Sequence, residues 1–194
     1  MTKPLSSNNG LKWNIDTLNT LFDSPDGVVS GTNVTSRESF VVPQRRTFTF
    51  TATPVTITDT GGANGGHGNL KFYDFPEATI TILGAVSNLS ISRVSTGLSA
   101  TAAVVTSVGT VATATSDATL TSTEANVIPS TTATLTAGAG TAKGESTAIL
   151  VADGTSTALD LFLNFAVPDG GISATDSLLV TGTIVVDYLL GTDN

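Results

Sequence analysis

Thr47-Phe48-Thr49-Phe50-Thr51-Ala52 alternates hydroxyl-bearing and apolar side chains with a period of two. Successive side chains of an extended strand point to opposite faces, so Phe48, Phe50 and Ala52 make one apolar face and Thr47, Thr49 and Thr51 a hydroxylated one. A helix, with its period of 3.6, cannot sort these residues in that way. After Pro54 the apolar role passes to Val55 and Ile57, so the parity has shifted. Proline has no N–H for a ladder, and a bulge, bend or edge position at Pro54 accounts for both facts.

The same alternation recurs downstream. Leu159, Leu161, Leu163 and Phe165 give its clearest instance. In Leu178–Leu190, one face carries Leu179, Thr181, Thr183, Val185, Asp187 and Leu189, and the other Val180, Ile184, Val186 and Tyr188. Leu89 and Ile91 oppose Ser90 and Ser92 within Val86–Arg93. Further strands are expected at Leu70–Phe75, Ala78–Leu83, Thr132–Leu135 and Ser146–Val151, and within 99–115, split near Gly109. Gly61–Gly68 and Gly138–Gly144 read as glycine-rich loops, Asp153-Gly154 as a hairpin turn and Asp169-Gly170-Gly171 as a strand end. Thr121-Ser122-Thr123-Glu124 has the form of a capping box, and Pro129 keeps any helix there short. About eight to ten strands joined by turns, without helix–strand alternation or a fixed-period repeat, define an all-β fold. The expectation is an antiparallel β-sandwich of jelly-roll-like form.

Composition agrees. The 194 residues include 35 threonines and 19 glycines, hydrophobic residues make up 40%, and there is no cysteine. Threonine and valine are stiff at the first side-chain torsion and suit a pleated strand. Charged residues are only 12%, about half the usual share. The surface is therefore largely neutral and hydroxylated, and such a surface meets another subunit at low desolvation cost. A net charge of −8 opposes a phosphate backbone, and Arg45-Arg46 is the one basic pair, so no nucleic-acid partner is expected. Met1-Thr2-Lys3-Pro4 leads into polar residues rather than an apolar signal core, and no apolar run is long enough to span a bilayer, so no membrane partner is expected.

Residues 1–44 differ from the rest and are read as an N-terminal arm on a β-sandwich domain of residues 45–194. They hold the only Trp. Leu11, Ile15, Leu18 and Phe22 recur near helical spacing, so the segment is either a short amphipathic helix or an extended arm docking through Trp13 and Leu18. Asp23-Ser24-Pro25-Asp26-Gly27 then makes a turn.

Chemistry is sparse. His67, the single histidine, lies in Gly65-Gly66-His67-Gly68; without cysteines or an adjacent acidic pair it completes no zinc site, and without a Gly-x-Ser-x-Gly elbow no serine triad. A tight glycine turn explains it better. Gly61–Gly65 lacks the Lys-Ser/Thr ending of a phosphate loop. Asp74 and Glu77 are the nearest approach to a carboxylate pair, and Asp16, Asp23 and Asp26 cluster near the start, but acidic residues beside turns are ordinarily solvated or caps. Asp153 and Asp169 belong to turns rather than to a calcium loop. Asn33-Val34-Thr35 and Asn88-Leu89-Ser90 match glycosylation acceptors, with no secretion signal beside them. No enzyme activity, cofactor or metal is expected.

Four stretches carry a resemblance: Gly65–Glu77 (GGHGNLKFYDFPE), Gly97–Val105 (GLSATAAVV), Ile128–Leu135 (IPSTTATL) and Asn164–Asp169 (NFAVPD). Together they resemble a family of small virion structural proteins of tailed phages and prophages, over residues 46–190; the first 44 residues match it poorly. The resemblance implies a capsid decoration, or cement, protein on the exterior of the virion, made in the host cytoplasm, typically a homotrimer, with the major capsid protein as partner. It carries no catalytic residue. An arm that reaches over neighbouring subunits needs few, apolar anchors, and Trp13, Leu18, Leu21 and Phe22 are the capsid-contact candidates. Packing of these four on the chain's own sandwich is the other reading. The alternative role is a tail or head-fibre protein binding a host-surface ligand, which would need exposed aromatics among Trp13, Tyr73 and Tyr188.

Overall fold

The computed structural model describes residues 34–39, 43–61, 64–114, 119–154 and 156–191. The candidates Trp13, Leu18, Leu21 and Phe22, and the helix-or-arm reading around them, lie outside the described residues.

Ten strands and two three-residue 3₁₀ turns make up the regular structure of the described residues, and every strand pair is antiparallel. The strands are β1 (Val34–Ser39), β2 (Gln44–Asp59), β3 (Gly66–Asp74), β4 (Thr79–Arg93), β5 (Ala103–Gly109), β6 (Ile128–Thr134), β7 (Ala139–Glu145), β8 (Leu150–Asp153), β9 (Asp160–Val167) and β10 (Asp176–Leu190). The first sheet runs β1-β2-β10-β4, with β7 and β8 end to end along the far side of β4. The second runs β3-β9-β5-β6. Strand β2 belongs to both, pairing with β10 over most of its length and with β3 through Thr58 and Asp59. At the other end β6 and β7 are joined by a two-residue turn, Ala137-Gly138, in which both residues have positive φ (53° and 87°). That geometry matches the twist of a tight hairpin. The sheet therefore wraps almost completely around one core, and the all-β antiparallel fold expected from the alternation is the one observed. The first strand, β1, lies within the segment read as the arm and pairs with β2 from Val34↔Phe50 to Ser39↔Arg45.

The parity shift in β2 is real, but its cause is not Pro54. Residues Thr51 and Ala52 together face Thr181 of β10, between the register pairs Phe50↔Gly182 and Thr53↔Val180. Ala52 adopts φ 46° and its N–H donates to Thr181 Oγ1 at 3.1 Å. This bulge leaves Ala52 exposed and turns Thr53 inward, so the apolar face is Phe48, Phe50, Val55 and Ile57. Pro54 itself stays in register opposite Leu179. A second bulge, at Phe72 between Lys71 and Tyr73, lets two consecutive aromatic side chains enter the core. Phe72 then meets Phe48 and Phe50 edge-on, and Tyr73 meets Phe48 and Phe75.

Glycines mislead the sequence reading in two places. The Gly138–Gly144 segment, read as a loop, is mostly strand β7, in register with β4 from Val86↔Glu145 to Ser92↔Ala139. A Cβ on Gly144 would lie 2.6 Å from Ile128 Cγ2, and one on Gly140 2.9 Å from the Thr134 carbonyl. These glycines serve the close approach of β6 to β7, not a turn. Likewise β3 begins at Gly66, inside the segment expected to be a loop, because a Cβ on Gly68 would strike the Thr56 carbonyl at 2.3 Å. Asp153-Gly154 makes no hairpin: Gly154 and Ala78 exchange both backbone hydrogen bonds, which extends the β8–β4 ladder. The segments Ala78–Leu83 and Val86–Arg93 are one strand, β4, with a single extra residue at Leu83 where Asp187 and Tyr188 pair with Gly84 and Ile82. Among the described residues of 99–115 only Ala103–Gly109 is strand, and of Ser146–Val151 only Leu150 and Val151.

Candidate functional site

His67 does not sit in a glycine turn; it is a residue of β3, opposite Thr58 on one side and Ala166 on the other. Arg45 and Arg46, adjacent in a strand, point to opposite faces. Arg45 makes two bonds to Asp187, Nε to Oδ1 at 2.7 Å and an Nη to Oδ2 at 2.8 Å. The hydrogen bond and charge of Asp187 hold the guanidinium up, and Arg45 in turn holds the Asp187 carboxyl down. Arg46 is buried with its guanidinium 4.6 Å from the Tyr73 ring centroid. The pair is thus no basic patch.

The partner of Asp74 is not its sequence neighbour Glu77 but Asp160, directly opposite it in the β3–β9 register. Lys71 Nζ reaches both, Asp160 Oδ1 at 2.7 Å and Asp74 Oδ2 at 3.1 Å. Burial raises the Asp160 carboxyl and the adjacent Asp74 adds to that, against Lys71, whereas hydrogen bonds from Asp160 and Lys71 lower Asp74. The one lysine bridges two carboxyls at a strand end and offsets their repulsion, which is a structural use of charge. Among the described residues no group of three or more His, Asp or Glu side chains is placed to hold a metal ion.

Two polar clusters fasten loops. The Asp176 carboxylate, 6% exposed, accepts from Ser95 N (3.0 Å), Ser95 Oγ (2.8 Å), Ser177 N (2.7 Å) and Leu98 N (2.9 Å), and so pins the bend after β4 to the start of β10. Burial alone would raise this carboxyl, but those hydrogen bonds outweigh it and hold it below its usual value of 3.8. A carboxylate held low in the folded state contributes stability that is present above its unfolded value and is lost as pH falls through the lowered one. Asp176→Asn is therefore expected to melt lower than the parent at pH 7, with the gap narrowing as the pH is lowered below the free carboxyl value. Melting curves across that range check it; a gap independent of pH contradicts it.

The second cluster centres on Asn164 of β9, which is fully buried. Its amide bonds Val111, Thr113 and the Glu124 carbonyl, while the Glu124 carboxylate reaches back to the Ala114 and Thr121 amides. The expected capping box at Thr121–Glu124 is present as a 3₁₀ turn, and its glutamate also closes a loop over the second sheet. Nothing in the local sequence around Asn164 announces this cover.

What remains open is the outer face of the first sheet. Register places Thr47, Val185, Val86 and Glu145 in one row across β2, β10, β4 and β7. Thr49, Thr183, Asn88 and Lys143 form the next row, and Thr181, Ser90 and Thr141 a third. These side chains are exposed or half-buried, and Val86 is 50% exposed. At the margin of the rows, where β6 approaches β7, Val86, Pro129, Thr131, Lys143, Glu145 and Thr147 line an open groove of about 470 Å³. Apart from Lys143 and Glu145 on β7 the three rows are uncharged and mostly hydroxylated, and short threonine and serine side chains lose little rotamer freedom on contact. Tyr73 and Tyr188, two of the three aromatics considered for stacking on a sugar, are buried in the core; Trp13 lies outside the described residues.

Compared with known proteins, the chain matches no family model and has no significantly similar curated relative.

Proposed function

We propose that this chain belongs to the class of β-sandwich proteins whose work is contact rather than catalysis. Within that class it is a virion structural protein that decorates a tailed-phage capsid and stabilises it by binding coat subunits. The observation that carries the reading is the exposed three-row face, threonine, serine, asparagine and valine with one lysine and one glutamate at its β7 side, on a sheet wrapped around a single core. A rigid face of this kind presents donors, acceptors and methyl groups at fixed spacing, and it buries against a partner without stripping water from many charges. The resemblance of residues 46–190 to virion proteins supplies the partner, the major capsid protein, and the site, the capsid exterior. It also supplies the expected oligomer, a homotrimer.

Co-sedimentation with expanded capsids tests the reading. The parent protein should pellet with capsids and saturate. Val86→Asp, at a half-exposed position that the core does not need, should weaken binding at least tenfold, which corresponds to about 1.4 kcal/mol. A parent protein that stays in the supernatant at every capsid concentration contradicts the proposal.

A further inference from the structure

The structure assigns a second contact to the edges of the same sheet: we propose that copies of this chain join head to tail, strand β8 of one adding to strand β1 of the next. It rests on the reading of the chain as an assembling subunit. Whether copies pair by these edges is nevertheless separable from whether they bind capsids.

The hydrogen-bond pattern fixes which backbone groups of β8 are available. Gly154 and Ala78 exchange both bonds, Gly154 N to Ala78 O at 3.0 Å and Ala78 N to Gly154 O at 3.1 Å. Bonded and non-bonded pairs alternate along an antiparallel ladder. Ala152↔Ile80 is therefore again a bonded pair, and Val151↔Thr81 a non-bonded one. The N–H and C=O of Val151 are consequently turned away from β4, toward the outer edge of the sheet. The other side of β4 agrees, since Thr79 turns its carbonyl to Gly191 N at 2.7 Å, beyond β10. Among the described residues no backbone group meets Val151 on that outer edge.

The side chains there are apolar. Val151 is 65% exposed and Ile149, two residues before it, 62%. Natural sheets guard such an edge with lysine, proline or a bulge. Leu150–Asp153 has none of these, and its one charge is Asp153 at the end of the strand. An edge with outward backbone groups and apolar side chains selects an extended strand as its partner.

A second copy supplies one. Strand β1 lies at the opposite edge of the same sheet, and among the described residues it pairs with β2 alone. Pairing β8 with β8 across a two-fold would leave both β1 edges open. Pairing β8 with β1 uses both edges of every copy, and a head-to-tail contact of this kind builds a ring where the rotation between copies closes and a filament where it does not. The three-row face of the sheet is left free for a different partner.

Size exclusion with light scattering on the full chain tests this, together with hydrogen exchange at Val151. The parent should run at three or more times the 19.6 kDa of one chain, with the Val151 amide protected. Val151→Pro removes only an outward N–H and should drop the mass to that of a monomer while the far-UV spectrum is kept. Should the proline variant fail to fold, Val151→Lys, which places a charge on the same edge, should give the same threefold or greater loss of mass. A monomeric or dimeric parent, or a lysine variant that stays assembled, overturns the inference. An assembly that ignores capsids overturns capsid binding and leaves the edge pairing standing, whereas a monomer that binds them overturns the edge pairing and the homotrimer and leaves capsid binding standing.

Discussion

Replacing Asn164 by alanine is expected to lower the unfolding midpoint by roughly 10 °C, the equivalent of about 3–5 kcal/mol in a chain of this size. The residue is fully buried and all its bonding capacity is used. Nδ2 donates to the Val111 and Glu124 carbonyls, both at 2.9 Å, and Oδ1 accepts from Thr113 N at 3.0 Å and Thr113 Oγ1 at 3.1 Å. Alanine would strand several of these buried partners, each at a cost of about 1–3 kcal/mol. The loop would loosen as well, because Ser107 Oγ donates to the same Glu124 carbonyl at 2.7 Å, and Thr113 Oγ1 also reaches the Gly68 carbonyl at 3.2 Å. Asn164→Asp keeps the acceptor and loses both donations, so it should fall most of the way. Thermal unfolding followed by circular dichroism checks both variants; an alanine variant within about 2 °C of the parent would show that the cluster is not what holds the loop.

Phe48→Ala is expected to cost about 3–5 kcal/mol. Its ring is fully buried where the two sheets meet, 4.9 Å from the Phe72 centroid at 76° and 5.1 Å from that of Tyr73. The loss has two parts, the cavity and the edge-to-face contacts, which add about 0.5–1.5 kcal/mol beyond burial. It also removes a neighbour of the Tyr73 ring on which the Arg46 guanidinium lies. Phe48→Leu keeps most of the volume and should lose less than about half as much. Denaturant unfolding with an unchanged slope separates lost stability from a loosened native state. A loss under about 1 kcal/mol for the alanine variant contradicts the placement of Phe48 at the centre of the core.

The strand assignments most visible in the sequence were those with one face in the core and the other in water. In β10, the alternate residues Val180, Ile184, Val186 and Tyr188 are buried as their spacing requires, and in β4 Leu89 and Ile91 are buried while Ser90 is exposed. The rule failed where both faces are covered. In β9, Asn164 and Ala166 fall on what alternation marks as the wet side, yet both are fully buried. The cover comes from residues some forty to fifty positions earlier, and no local pattern encodes it. Glycine was misread for a related reason. Gly68, Gly140 and Gly144 are in strands because another backbone or side chain comes too close for a Cβ, which is a fact about packing and not about turns. The shift in β2 parity was legible, but its position was not. Pro54 looked like the cause, whereas the extra residue is accommodated at Ala52, with a positive φ that only the pairing with Thr181 explains.

Less of the functional surface was legible than of the fold. The hydroxyl content signalled a neutral exterior, but the rows form only when register sets Thr49 beside Thr183 and Thr183 beside Asn88. Chain separation hides such neighbours from any local reading. The acidic residues show the opposite effect: Asp74 and Glu77 stand out in the sequence, while the partner the fold gives Asp74 is Asp160, eighty-six positions away. Edge strands are equally invisible in advance, since an edge is defined by what fails to pair with it.

Cryo-electron microscopy of a phage particle containing this chain tests most directly whether the protein's work is to bind the shell. Density for a ten-stranded sandwich on the outer surface of the head, with the rows through Val86 and Thr183 turned toward coat subunits, is the result expected. Heads that carry no such density, or the same sandwich found only on a tail fibre, would contradict it.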